Sequence, residues 1–225
     1  MFKTLLKNMT KWNFLCLFFL CLIFGSCGSD SFLDQKNTQF ENNAIEVKAI
    51  EVKNLLTLQK IDLSWVAYKT SEKIPVEGVF SQVKVNFSSD LKYLNKLSFL
   101  EQLEFLIPVN GLDTKNPDRD AKILKYFFGN LRYTNEISGA IQKINLEDQT
   151  LEILLIFNDL KQTVTMNYIE KEKEIIAETV LFLKDFEALK ALSALNQVCY
   201  DLHKGADGKS ILWEEVAVKV VFLYE

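Results

Sequence analysis

Histidine is almost missing from this chain: His203 stands alone among 225 residues. A Ser-His-Asp hydrolase would have to be built around that one imidazole, and no Gly-x-Ser-x-Gly elbow accompanies it. The simpler reading of His203 is a cation near a helix C-terminus. Cysteine is scarce as well, at positions 16, 21, 27 and 199. One histidine and so few thiols do not make an ordinary zinc site. No EF-hand-like loop is present, and no glycine-rich loop of the kind that cradles phosphate. A basic excess is also absent: 26 Lys and Arg face 30 Asp and Glu, for a net charge of −4. That balance disfavours nucleic acid, whose binding rests on phosphate neutralisation. The carboxylates are numerous, but no spacing singles out an acid/base pair.

What is present begins with an address. The first 26 residues carry Lys3, Lys7 and Lys11 and no acidic residue. Phe14 to Phe24 is continuously apolar, and Gly25-Ser26-Cys27 follows. A basic segment, a short apolar core and a small-residue exit describe a secretory signal over residues 1–26. The apolar run is short of the about 20 residues of a membrane span, which makes an uncleaved anchor the least fitting alternative. Phe24-Gly25-Ser26-Cys27 has the form of a lipobox, with Phe24 in place of the usual Leu. Cys27 is then the lipid-modified residue, and several acyl chains would anchor the chain stably. The competing reading is ordinary cleavage near Ser26, leaving a free thiol. Losing three lysines with the signal makes the remainder more acidic, so membrane attachment would come through Cys27 and not through charge. Gly28 in place of Asp after Cys27 departs from the usual inner-membrane retention signal and favours the outer membrane.

With Cys16 and Cys21 removed and Cys27 acylated, Cys199 has no partner for an intrachain disulfide. It sits in an apolar helical pattern with Leu192, Leu195 and Leu202, as a buried structural thiol would. Residues 27–43 are rich in Ser, Asp, Gln, Asn and Lys and read as a flexible tether. The domain proper is 44–225. It opens with a short echo, Ile45-Glu46-Val47-Lys48 and Ile50-Glu51-Val52-Lys53, whose alternation suggests a strand.

From Ile61 onward alternating runs come in series. They cover Ile61–Trp65, Val79–Phe87, Leu103–Val109, Ile137–Asn145, Thr150–Phe157, Thr163–Glu170, Ile175–Phe182 and Ile211–Leu223. Pro108 suits a strand end or edge, and Asn158-Asp159 and Asn145–Asp148 carry turn chemistry. Two helices interrupt the series. Asn116 caps the first, with Pro117 at its first position and Asp118 and Asp120 at its positive end. The second runs from about Asp185, as cap, to Leu202. Many short strands, two helices and no βαβ alternation give a mainly β fold: an antiparallel sheet that closes or nearly closes. A barrel of about eight strands has room for one small ligand.

The stretch from Trp65 to Phe128 adds a resemblance. Trp65-Val66-Ala67-Tyr68-Lys69 is followed by Gly78-Val79-Phe80. Then Asn116-Pro117-Asp118-Arg119-Asp120 precedes Tyr126-Phe127-Phe128. This order resembles the YceI-like family: an aromatic first strand ending in Lys, Gly-x-Phe on the second, and Asn-x-x-Arg-Asp before a short helix with paired aromatics. The resemblance covers roughly Leu58 to the C-terminus. It implies a lipocalin-like antiparallel barrel that binds a long apolar lipid and is not an enzyme. Many members carry a His in the first strand where Tyr68-Lys69 stands here. Asn158-Asp159-Leu160-Lys161 also replaces a Gly-rich hairpin, which puts pocket shape in doubt.

By default Phe80, Phe87, Phe105, Phe127, Phe128, Phe157, Phe182 and Phe222 are core residues. In a YceI-like barrel part of this set would line an elongated cavity, with Trp65, Phe80, Phe105, Ile107, Phe128, Phe157, Phe182 and Phe222 as ligand-binding candidates. The ligand would be an isoprenoid or another long-chain amphiphile. No metal or other cofactor is expected. In the cluster Asn116, Arg119 and Asp120, Arg119 either faces a lipid headgroup or pairs with a carboxylate and pins the helix across the barrel end; the structural role explains every residue. The runner-up to lipid binding is a non-catalytic interaction lipoprotein with a packed barrel core. Both readings place the chain in a Gram-negative envelope, on an outer membrane, with the domain facing periplasm or exterior.

Overall fold

The computed structural model describes residues 58–87, 96–101 and 103–225. The signal, Cys27, the tether and the Ile45–Lys53 strand lie outside the described residues.

The strands are β1 (Leu58–Lys69), β2 (Ile74–Phe80), β3 (Lys84–Phe87), β4 (Leu103–Pro108), β5 (Leu112–Asp113), β6 (Glu136–Asn145), β7 (Thr150–Phe157), β8 (Leu160–Glu170), β9 (Glu174–Phe182) and β10 (Leu212–Tyr224). Three α-helices are α1 (Lys96–Leu100), α2 (Pro117–Lys122) and α3 (Leu189–Val198). All strand pairings are antiparallel, in one sheet ordered β3-β4-β6-β7-β8-β9-β10-β1-β2-β5.

That order cannot belong to a flat sheet. β2 and β3 stand eight places apart, about 38 Å at ordinary strand spacing, yet only Ser81–Val83 join them. A linker that short reaches about 14 Å. β4 and β5 are likewise eight places apart and joined by Val109–Gly111 alone. The sheet therefore curls until its two edges meet. At the meeting point Ser81 donates to the Gly111 carbonyl from both its backbone N–H (2.8 Å) and its hydroxyl (3.0 Å). β2 with β3, and β4 with β5, are thus two bent staves. The Val79–Phe87 alternation is real but broken by this bend. Counted so, the barrel has eight staves in meander order, closed by the long β1–β10 pairing.

The hairpins follow local chemistry. Asn158 and Asp159 take φ of 54° and 62° between β7 and β8, the backbone of a two-residue type I′ turn. Asn145 Oδ1 accepts from the N–H groups of Glu147 and Asp148 in the β6–β7 turn. Pro108 ends β4, as expected.

Two apolar clusters fill the barrel from opposite ends. One joins α1 to the sheet through Leu100, Leu103, Leu151, Ile175 and Tyr224. The other packs Phe127, Phe128, Phe157, Leu183, Phe186 and Ala191 beneath the helical segments. The second expected helix is in fact three pieces. A 3₁₀ turn covers Leu183–Phe186, Glu187 is left-handed (φ 51°), α3 follows, and a further 3₁₀ turn runs Tyr200–His203. Asp185 is therefore not its cap. α3 begins after Ala188, because the reversal at Glu187 breaks the helical path.

Candidate functional site: an apolar cavity in the barrel

Strand alternation sends every second side chain inward. On β10 these are Val216, Val218, Val220 and Phe222; on β7, Ile153, Leu155 and Phe157. On β4 they are Leu103, Phe105 and Ile107; on β1, Ile61, Leu63 and Trp65. They do not meet in the middle. Between the two packed ends lies a cavity of about 250 Å³, close to the lower end of the range for small-molecule sites. Ile123, Phe127 and Phe128, from the turns after α2, and Leu192 and Leu195 of α3 form its helical end.

The wall is almost wholly apolar. Thr179 is its one aliphatic hydroxyl, and that group already donates to the Thr165 carbonyl at 2.8 Å. Trp213 spends its indole N–H on the Thr70 carbonyl at 2.8 Å. Water entering such a space finds few partners, so it favours an apolar guest.

Seven of the eight candidates from the sequence lie in this wall: Trp65, Phe80, Phe105, Ile107, Phe128, Phe157 and Phe222. Phe182 does not. It is 38% exposed, with the Lys184 ammonium 5.0 Å from its ring centroid. Leu181 and Leu183 take the inward positions, so the alternation puts Phe182 on the outer surface. Apart from Ile107, the aliphatic part of the wall was not among the sequence candidates; its signal is the alternate spacing of Val216, Val218 and Val220 on β10.

The Asn-x-x-Arg-Asp cluster is largely a backbone device. Asn116 Oδ1 accepts the Arg119 N–H at 3.1 Å and caps α2. Asp120 Oδ1 accepts from the Thr114 N–H (3.0 Å) and hydroxyl (2.6 Å), tying α2 to the end of β5. Arg119 makes no ion pair among the described residues, so the expected carboxylate partner is not there. α2 is held by its cap and by Asp120 instead.

His203 closes the same end of the barrel. Its Nδ1 lies 2.9 Å from Asn196 Oδ1, and Asn196 is held in turn by the Ser210 carbonyl and hydroxyl. Burial, then the nearby Lys69 and Lys122 charges, push its pKa down to about 4. The imidazole is therefore neutral at pH 7, not the helix-terminal cation expected, because burial disfavours its charged form and two lysine charges add to that. Lys69 donates to the Leu202 carbonyl at 3.3 Å. Ser210 directs its hydroxyl to Asn196. Among the described residues no group of three or more His, Cys, Asp or Glu is placed to hold a metal ion. Cys199 is buried and free.

No known family model matches the chain, and no characterised relative matches it in sequence. Solved structures do. A polyisoprenoid-binding domain from Saccharophagus degradans, described as implicated in plant cell wall breakdown, superposes with a TM-score of 0.53 at 13% identity, over 76% of this chain and 96% of that one. Looser likenesses are to BcnA of Burkholderia cenocepacia (TM-score 0.49, 15% identity, 75% and 99% covered) and to the YceI protein of Campylobacter jejuni (0.38, 14%, 64% and 83%). The chain thus has a lipocalin-like antiparallel β fold shared with a polyisoprenoid-binding domain, in accord with the YceI-like resemblance of its sequence.

Proposed function

We propose that this chain is a YceI-like binding protein that takes a long-chain amphiphile, an isoprenoid or similar lipid, into its barrel for sequestration or transport. The observation that carries the reading is the cavity: about 250 Å³ of space walled by aliphatic and aromatic side chains. Burying each CH₂ of a tail there is worth about 0.8 kcal/mol, and no buried polar group of the ligand is required for that gain. The description of the S. degradans domain as polyisoprenoid-binding supports the ligand class. The polar head would sit at the helical end, where Lys69 and Lys122 flank the lining residues Tyr68 and Ile123. Loading would require the segment around Phe127 and Phe128, or α3, to move aside.

Membrane attachment belongs to the same proposal. Cys27, acylated after removal of residues 1–26, would hold the domain on the outer membrane of a Gram-negative envelope through the tether. Its role there would be to bind the lipid, the reading that the description of the S. degradans domain supports. The packed-core interaction reading fits less well, because it needs an interior without space.

Native mass spectrometry of the purified full chain, followed by solvent extraction, tests the proposal. A reproducible excess mass that extracts as a long-chain lipid is expected. A bare mass that stays bare after incubation with quinones and polyprenols overturns it.

A further inference from the structure

Two large rings of the cavity wall each lie against a glycine. Trp65 on β1 is the direct cross-strand partner of Gly78 on β2. A Cβ built on Gly78 would come 2.3 Å from Cζ2 and 2.5 Å from Cε2 of the indole. Phe105 on β4 is the cross-strand partner of Gly139 on β6. A Cβ there would meet the Phe105 ring at 2.6 Å and the Leu154 carbonyl at 2.3 Å. Both rings are cavity wall. The two pairs also flank the bent staves, one on each side. The indole keeps its position although its buried N–H has no hydrogen-bond partner among the described residues. The bare backbone of Gly78 is what gives the ring a place to lie.

We propose that Gly78 and Gly139 set the capacity of the barrel by letting Trp65 and Phe105 lie along the wall instead of across the lumen. This deepens the lipid-binding reading and rests on it for the nature of the guest, a linear apolar chain. Any side chain at 78 lifts the indole by a carbon's width into space the tail occupies. Gly78 and Gly139 are positioning residues; the rings they seat make the contact. Gly78 is the cleaner of the two to test, since the three atoms nearest to its added Cβ all belong to the Trp65 side chain, whereas at Gly139 the nearest is a backbone carbonyl.

The test uses the full chain as wild type, Gly78→Ala, and the double variant Gly78→Ala with Trp65→Leu. The volume change of unfolding, measured under pressure, scales with internal void and needs no ligand. Native mass spectrometry with polyprenols of increasing length reads capacity directly. Gly78→Ala is expected to reduce the magnitude of the volume change and to bind the longest chain that wild type accepts at least tenfold more weakly. The double variant is expected to restore both. A folded Gly78→Ala protein with wild-type volume change and chain-length profile overturns the inference. If Gly78→Ala does not fold, the double variant decides: holding chains at least as long as wild type supports the inference, and holding only shorter ones overturns it. If wild type binds no chain, the lipid-binding reading fails by itself, and the volume comparison still settles what Gly78 does.

Discussion

Asn158 ties the floor of one hairpin to the lid of the barrel: its Nδ2 donates to the Phe186 carbonyl at 2.7 Å. Its Oδ1 accepts the Arg132 N–H at 2.7 Å, so one buried amide joins the β7–β8 turn to both segments that cover the cavity. Asn158 is only 4% exposed, and it holds the left-handed backbone that its turn demands. The Arg132 guanidinium also pairs with Glu187, at the surface of the same junction.

Asn158→Ala should therefore destabilise the fold by about 2–4 kcal/mol, since it strands a buried carbonyl and a partly buried N–H and removes a residue suited to φ above zero. Urea denaturation reads the loss. Arg132→Ala, which breaks only an exposed ion pair, should cost under about 1 kcal/mol. Equal effects from the two substitutions would contradict this assignment.

His203 predicts a pH dependence with a definite sign. Its folded pKa of about 4 lies below the ordinary 6.5, so the unfolded chain binds the proton more readily. The contribution is fully present above pH 6.5 and is lost as pH falls from 6.5 towards 4. With allowance for the half-exposed position of the ring, the loss is about 1–2 kcal/mol. Thermal melts across that window should show a fall in Tm that His203→Gln flattens. A variant that follows the wild-type curve would place the sensitivity in other groups.

Phe128 and Phe182 should separate cleanly. Phe128 is buried, packs edge-on to Phe80 and Phe127, and lines the cavity. Phe128→Ala is expected to cost about 2–4 kcal/mol, somewhat under a fully packed Phe because one side already faces space. Phe182→Ala, on the outer face, should stay within about 0.5–1 kcal/mol and leave lipid retention unchanged. Denaturation midpoints and extracted lipid per protein check both.

Asp120→Ala should loosen α2 by removing both Thr114 bonds, at a cost of about 1–3 kcal/mol. Arg119→Ala leaves the Asn116 cap intact, because the cap is made by the Arg119 backbone N–H. It should change stability by less than about 0.5 kcal/mol. Amide hydrogen exchange over residues 114–123 distinguishes the two: faster in the first, unchanged in the second.

Most of the strand series could be read from the chain because alternation and turn residues are local. Leu103–Pro108, Thr150–Phe157 and the Asn158-Asp159 turn needed only neighbouring residues to declare themselves. The cap at Asn116 with Pro117 was visible for the same reason. The break at Glu187 was not, since nothing in Asp185 to Leu202 signals a left-handed residue in an otherwise helical pattern.

Sequence by itself determined the class of the fold, the series of its strands and part of the cavity-facing set, through periodicity that each strand carries alone. Tertiary structure decided the rest. Closure depends on β2–β3 and β4–β5 meeting across the barrel seam, and the phase of β9 put Leu181 and Leu183, not Phe182, inside. The lowered pKa of His203 comes first from its burial under remote segments and then from Lys69 and Lys122, brought beside it from distant parts of the chain. The open lumen itself depends on Gly78 and Gly139 lying under Trp65 and Phe105. Each of these is set by the register between strands or by packing of remote segments, and no window of neighbouring residues contains it.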